Sequence, residues 1–240
     1  TGPGQPGNAT AILHQARADY RKKIAAKRAT EAPVEVYHFK QPLKPGSAGK
    51  EFFIVSGLPR SGTSMVMQML AQGGMEPMTD GTRVADTDNP QGYYEWEAIK
   101  RLGENRDVIE QAGERPVKVI SAQLRHLPRE YAYRVVFIRR PVEEIARSQQ
   151  AMLDRLGKAG GDRGLQVTAA ALAHHEKAAL AQLRARPEMQ VLELNYHETI
   201  EDPAKTARLL REFFGAKRLA APENMTRAVD PDLHRQRTRA

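Results

Sequence analysis

Residues 53–64 read Phe-Ile-Val-Ser-Gly-Leu-Pro-Arg-Ser-Gly-Thr-Ser, an apolar run, a loop bounded by Gly57 and Gly62, and residues that open a helix. Glycines let the chain turn tightly and approach a ligand. The N–H groups of Ser61 through Ser64 are then free helix N-terminal donors, and the helix dipole favours an anion beside them. Arg60 adds a planar fork suited to phosphate oxygens. The expected phosphate-binding set is therefore Gly57, Pro59, Arg60, Ser61, Gly62, Thr63 and Ser64. Its glycine spacing matches a nucleotide-hydrolysing loop, G-x-x-x-x-G-K-S/T, but Thr63 stands where that loop has its lysine. Such a loop holds a phosphate without handling a γ-phosphate.

A second constellation lies downstream. The apolar stretch Arg134-Val-Val-Phe-Ile138 runs into Arg139-Arg140-Pro-Val-Glu-Glu-Ile-Ala-Arg-Ser148. Pro141 suits a first helical turn, and Glu143 and Glu144 suit the positive end of the helix. Ser148, two turns along from Arg140, returns to the same side. An arginine and a hydroxyl can then converge on one phosphate. Arg139 reads equally as a second contact or as an exposed strand-end charge.

The segment Gly57-Leu-Pro-Arg-Ser-Gly-Thr-Ser64 resembles the 5′-phosphosulfate loop of the sulfotransferases that use 3′-phosphoadenosine-5′-phosphosulfate (PAPS). In that family an arginine at the end of a central strand and a serine eight residues later hold the 3′-phosphate, which selects Arg140 and Ser148 here. Two further stretches resemble the bacterial branch. Asp86-Thr-Asp-Asn-Pro-Gln-Gly-Tyr-Tyr-Glu-Trp-Glu97 is similar to its D-x-x-N-P-x-G-Y/F/W-x-E segment, and Val117-Lys-Val-Ile120 to the strand that brings a lysine, Lys118, toward the sulfuryl group. The resemblance spans roughly residues 51–215 as motifs in order. It departs from the animal cytosolic branch at Arg60, where that branch has lysine, and it lacks that branch's catalytic histidine. It implies PAPS as donor, adenosine 3′,5′-bisphosphate as product, and no metal, because no β,γ-phosphate pair needs bridging.

For catalysis the resemblance points to Arg60 and Lys118 as stabilisers of charge on the bridging oxygen. Glu95 is the first choice of general base, with Asp80 and Asp86 behind it, each of which reads also as a loop-capping or surface acid. Tyr93, Tyr94 and Trp96 either wall an acceptor pocket or anchor a turn. Arg83 reads as a contact to an anionic acceptor or as the partner of a neighbouring aspartate. The late basic stretch Pro231–Arg239 offers Arg235 as a further 3′-phosphate contact, or is a charged tail. Asn195-Tyr-His-Glu198 resembles the family's Y-E-x-L position and reads as structural.

Composition limits the alternatives. With 240 residues, 40% hydrophobic and 28% charged, the chain suits one α/β domain with a two-sided sheet core. A formal charge of +8 attracts a polyanionic cofactor as readily as nucleic acid, and no nucleic-acid partner is expected. Cysteine is absent, which excludes disulfides, thiolate metal sites and cysteine nucleophiles. The seven histidines show no metal-ligand spacing, and His174-His175 reads as a solvated pair. No apolar run approaches the ~20 residues of a membrane span, so a cytoplasmic location is the default. Two other classes remain open, a P-loop nucleotide kinase or NTPase and a non-catalytic nucleotide- or polyanion-binding module. The missing loop lysine, and arginines rather than a metal-binding aspartate after Ile138, argue against the first.

The elements that must position these groups follow from periodicity. Residues 1–50 read as an N-terminal helix, Ala9 to about Thr30 capped by Asn8, and a linker. Residues 51–215 read as the α/β domain, and 216–240 as a basic segment that is part of it or packed on it. A first strand is expected in the apolar run that begins at Phe53 after the linker and others near 117–120, 134–139 and 190–194, alternating with helices near 62–72, 122–127, 142–156, 166–186 and 203–214. That alternation predicts a three-layer P-loop NTPase-like fold, a central parallel sheet flanked by helices, with ligands at the carboxyl ends of its strands. Residues 75–94 read as a long active-site loop, and Gly157–Gly164 as a lid or a solvated loop.

Overall fold

In the computed structural model, described over residues 47–82, 92–155 and 163–230, the four apolar runs become strands because both their faces are covered. They are β1 (Glu51–Gly57), β2 (Val117–Lys118), β3 (Ala132–Arg139) and β4 (Met189–Asn195), all parallel in the order β2-β1-β3-β4. β1 is buried from Phe52 onward, as a central parallel strand must be. Register aligns the carboxyl ends: Val55 pairs with Lys118, Gly57 with Ile138, and Arg139 with Asn195.

The helices are α1 (Thr63–Gly73), α2 (Val142–Arg155), α3 (Arg163–Arg184), α4 (Tyr196–Glu201), α5 (Pro203–Phe214) and the short α6 (Pro222–Met225). One sheet face carries Phe52, Ile54, Val117, Tyr133, Val135 and Phe137. They pack with Ala179, Leu180 and Leu183 of α3 and with Trp96, Ile99, Leu102 and Ile109 from the segment between α1 and β2. Phe53 points the other way, where its ring meets Phe214 of α5 edge-on at 5.6 Å. On that side Gly73 of α1 lies against Leu219 and Met225, which add to this layer. The result is three layers, helix, sheet, helix, as the alternation predicts.

Local chemistry sets the element ends. Asn195 caps α4, its Oδ1 accepting from the N–H groups of His197 at 2.8 Å and Glu198 at 3.2 Å. Asp202 caps α5 by accepting from Lys205 N–H at 2.9 Å, with Pro203 in the first turn. Expectation and structure part at β2. Val119 still donates to Val55 O at 3.0 Å, but Ile120 turns into a 3₁₀ segment, Ser121–His126. The strand is thus two residues long where four were expected. Three further 3₁₀ segments, Glu97–Arg101, Arg106–Ala112 and Thr226–Ala228, and the helices α4 and α6 were not foreseen. The expected N-terminal helix, positions 157–162 of the expected lid or loop, Pro231–Arg239 and the sites Arg83, Asp86 and Arg235 lie outside the described residues. Among the described residues no helix is long and apolar enough to cross a membrane.

Candidate functional site

The loop after β1 is shaped by two close approaches. A Cβ on Gly57 would lie 2.7 Å from the backbone oxygen of Ile138, so only glycine lets β1 and β3 stay paired there. Gly62 has φ of 109°, a left-handed value, and a Cβ on it would meet the Tyr196 ring at 2.6 Å. Between them Arg60 also has positive φ, 74°. A left-handed non-glycine costs on the order of 1–3 kcal/mol and persists only where surroundings enforce it. Gly62 gives α1 no side-chain cap, and its first turn holds no acid. The positive end of this helix dipole therefore faces the loop without a counter-charge of its own. Ser61 Oγ is buried with no hydrogen-bond partner.

The second constellation meets this loop. Arg60 Nε donates to Ser148 Oγ at 3.0 Å, across 88 positions of sequence. Arg140 Nη1 donates to the backbone oxygen of Arg60 at 3.3 Å. Lys118 joins from the other flank, its Nζ donating to Ser64 Oγ at 3.1 Å and to Tyr93 O at 2.8 Å. Arg60, Ser64, Lys118, Arg140 and Ser148, drawn from separate elements, thus meet at the carboxyl edge of the sheet. Pro59 is exposed and Thr63 buried beside it.

Arg140 is 8% exposed, and its surroundings explain how a buried guanidinium is tolerated. Nε donates to Glu144 Oε2 at 2.9 Å, and the Tyr196 ring centroid lies 4.4 Å from Cζ. Nη2 is buried and has no hydrogen-bond partner. An orphaned cationic donor next to a dipole-bearing loop fits a phosphate-carrying ligand, because a buried donor left without an acceptor is otherwise expensive.

The candidate acids lie differently. Glu95 pairs with Lys100 at 3.1 Å, while its backbone oxygen accepts from Thr79 Oγ1 at 2.8 Å. Asp80 is exposed and caps the loop, accepting from Glu97 N–H at 2.6 Å and Thr82 N–H at 3.0 Å. Those donors, Glu97 first, hold its carboxyl below the usual carboxylate range. The aromatic residues split: Trp96 belongs to the core, Tyr93 is buried with its carbonyl on Lys118, and Tyr94 is half-buried with φ of 50°. Burial pushes the Tyr94 hydroxyl up.

Three readings change on contact with the structure. Arg139 is no exposed strand-end charge: it bridges Glu176 at 3.1 Å and Glu193 at 3.3 Å, and Arg184 closes the far side of Glu193 at 2.7 Å. Burial raises the Glu176 carboxyl despite Arg139. His174 is exposed, but His175 is half-buried with Nε2 2.9 Å from Ser121 Oγ. Glu144, read only as a helix-terminal acid, is the partner of Arg140, as is Tyr196. The i,i+4 spacing of Arg140 and Glu144 carried that signal.

No family profile matches the chain, and neither does any curated protein. Solved structures do. Sulfotransferase STF9 from Mycobacterium avium superposes with a TM-score of 0.50 at 15% identity, covering 90% of this chain and 71% of that one. The sulfotransferase domain of the Synechococcus PCC 7002 olefin synthase gives 0.44 at 14%, covering 82% and 86%. A mouse sulfotransferase complexed with PAP gives 0.43 at 15%, covering 75% and 65%. Of these three the first alone reaches 0.5, and at this identity it speaks to architecture alone. The chain has a sulfotransferase-like fold, a parallel α/β sheet flanked by helices.

Proposed function

We propose that the chain is a sulfotransferase of the bacterial type that moves a sulfuryl group from PAPS to an acceptor hydroxyl or amine. The observation that carries this reading is the joining of two phosphate motifs through Arg60, whose side chain reaches Ser148 and whose backbone oxygen receives Arg140. One ligand with phosphates at both ends accounts for both. The loop Gly57–Ser64 would hold the 5′-phosphosulfate, and Arg140 and Ser148 the 3′-phosphate, with Arg235 as a further contact. Residues 51–215 would form the transferase domain, preceded by the helix and linker of 1–50 and completed by 216–240.

The donor supplies an electrophilic sulfur and a bisphosphate leaving group. The chain's part is electrostatic and positional. Arg60, Lys118 and the loop N–H groups stabilise negative charge on the bridging oxygen. Glu95, or failing it Asp80 or Asp86, takes the acceptor's proton. A metal has no phosphate pair to bridge in this chemistry. The cytoplasm, where such donors are made, is the compartment that suits it.

Calorimetry tests the reading. Adenosine 3′,5′-bisphosphate is expected to bind tightly with or without Mg²⁺, and ATP weakly under both conditions. Preferential binding of Mg·ATP overturns the proposal in favour of a kinase or NTPase.

A further inference from the structure

The arginine assigned to the second phosphate is held from three directions. Glu144, 1% exposed, accepts from Arg140 Nε through Oε2, and the same oxygen lies 3.1 Å from His197 Nε2. Behind the guanidinium plane stands Tyr196, at 4.4 Å. That ring also fills the space a Cβ on Gly62 would need. One aromatic side chain therefore touches both the phosphate loop and Arg140. Asn195, capping α4 through its Oδ1, fixes the dipeptide that supplies both Tyr196 and His197.

The consequence concerns which atom of Arg140 is left for a ligand. Nε is committed to Glu144 and Nη1 to the Arg60 carbonyl, so Nη2 is the nitrogen without a partner. A guanidinium free to rotate loses geometric definition in its phosphate contact; one pinned on two nitrogens and one face presents a fixed donor. A carboxylate beside an anion site has a cost as well, since its charge opposes the ligand. Orientation and charge thus make opposite predictions for the removal of Glu144.

We propose that Glu144, His197 and Tyr196 are positioning residues for Arg140, and that they set how strongly the site prefers nucleotides bearing a 3′-phosphate over those without one. The inference rests on the donor assignment above and concerns selectivity within it. The readout is a ratio, the affinity for adenosine 3′,5′-bisphosphate divided by that for adenosine 5′-monophosphate, measured by calorimetry on the full chain. Overall loosening of the fold lowers both affinities and leaves the ratio unchanged.

Glu144→Ala is expected to lower the ratio about tenfold, the loss of one oriented charged hydrogen bond. Glu144→Gln, which keeps an acceptor at the same place, is expected to restore it to within about twofold. Should the alanine variant not fold, Tyr196→Leu carries the test, because it keeps apolar bulk against Gly62 while removing the ring; a fall of about fivefold is expected. A ratio unchanged in Tyr196→Leu, or raised in Glu144→Ala, overturns the proposal. A parent protein that shows no preference for the bisphosphate sinks the donor assignment itself, and the inference with it.

Discussion

The loop and arginine cluster on one side, and residues 75–82 and 92–96 on the other, are built by opposite rules. Around Arg60 and Arg140 the polar groups are mostly buried or half-buried, bonded to one another across distant elements, and backed by glycines that no other residue can replace. Along residues 75–82 and 92–96 the carboxylates instead serve the loop itself, Asp80 as a cap and Glu95 in an ion pair with Lys100. A site for an invariant ligand can be rigid and costly. One for a variable acceptor is carried on a loop, where change is tolerated.

Glu95→Gln breaks this comparison most forcefully. If the acidic segment supplies the base, turnover should fall at least about a hundredfold while affinity for adenosine 3′,5′-bisphosphate holds. Full activity in a labelled-sulfate transfer assay would mean that Glu95 is structural and the loop contributes no proton acceptor at that position. On the donor side, Gly62→Ala should cost about 3 kcal/mol in denaturant unfolding, because it adds a left-handed alanine to an overlap with the Tyr196 ring. A loss below about 1 kcal/mol would show a more pliable loop than described.

Asp80→Asn is the smallest effect and sharpens the contrast by pH. The folded-state pKa of Asp80 is lowered from 3.8, so its contribution to stability is present above that value and lost as pH falls through the folded one. The variant should be less stable than the parent at neutral pH, within about 1 kcal/mol for an exposed cap. The two should converge as pH falls through the folded-state value. Melting curves from about pH 2 to 7 check this, and a gap that widens in acid contradicts the capping role.

Sequence and structure agree best where chemistry and periodicity coincide. β1 and its loop were legible because an apolar run, two glycines and a cation fell in register. The start of α2 was similarly marked by Pro141. What escaped was set by tertiary contact. β2 is short because the chain turns at Ile120 into a 3₁₀ segment, so only its two paired residues meet Ile54 and Val55 of β1. The 3₁₀ segments are too brief to show a period. Arg139 and Arg140 are adjacent and identical in type, yet one faces Glu176 and Glu193 and the other Glu144. Only the alternation of a strand end decides which, and acids from α3 and β4 had to be folded into place to reveal it.

The most direct test is a crystal structure of the protein with adenosine 3′,5′-bisphosphate. The Ser61 N–H donates to Leu58 O at 3.1 Å, so the 5′-phosphate should lie against the N–H groups of Gly62–Ser64, and the 3′-phosphate should accept from Arg140 Nη2 and Ser148 Oγ. A nucleotide bound with its 3′-phosphate in solvent, away from Arg140 and Ser148, would contradict the claim that the two motifs serve one ligand.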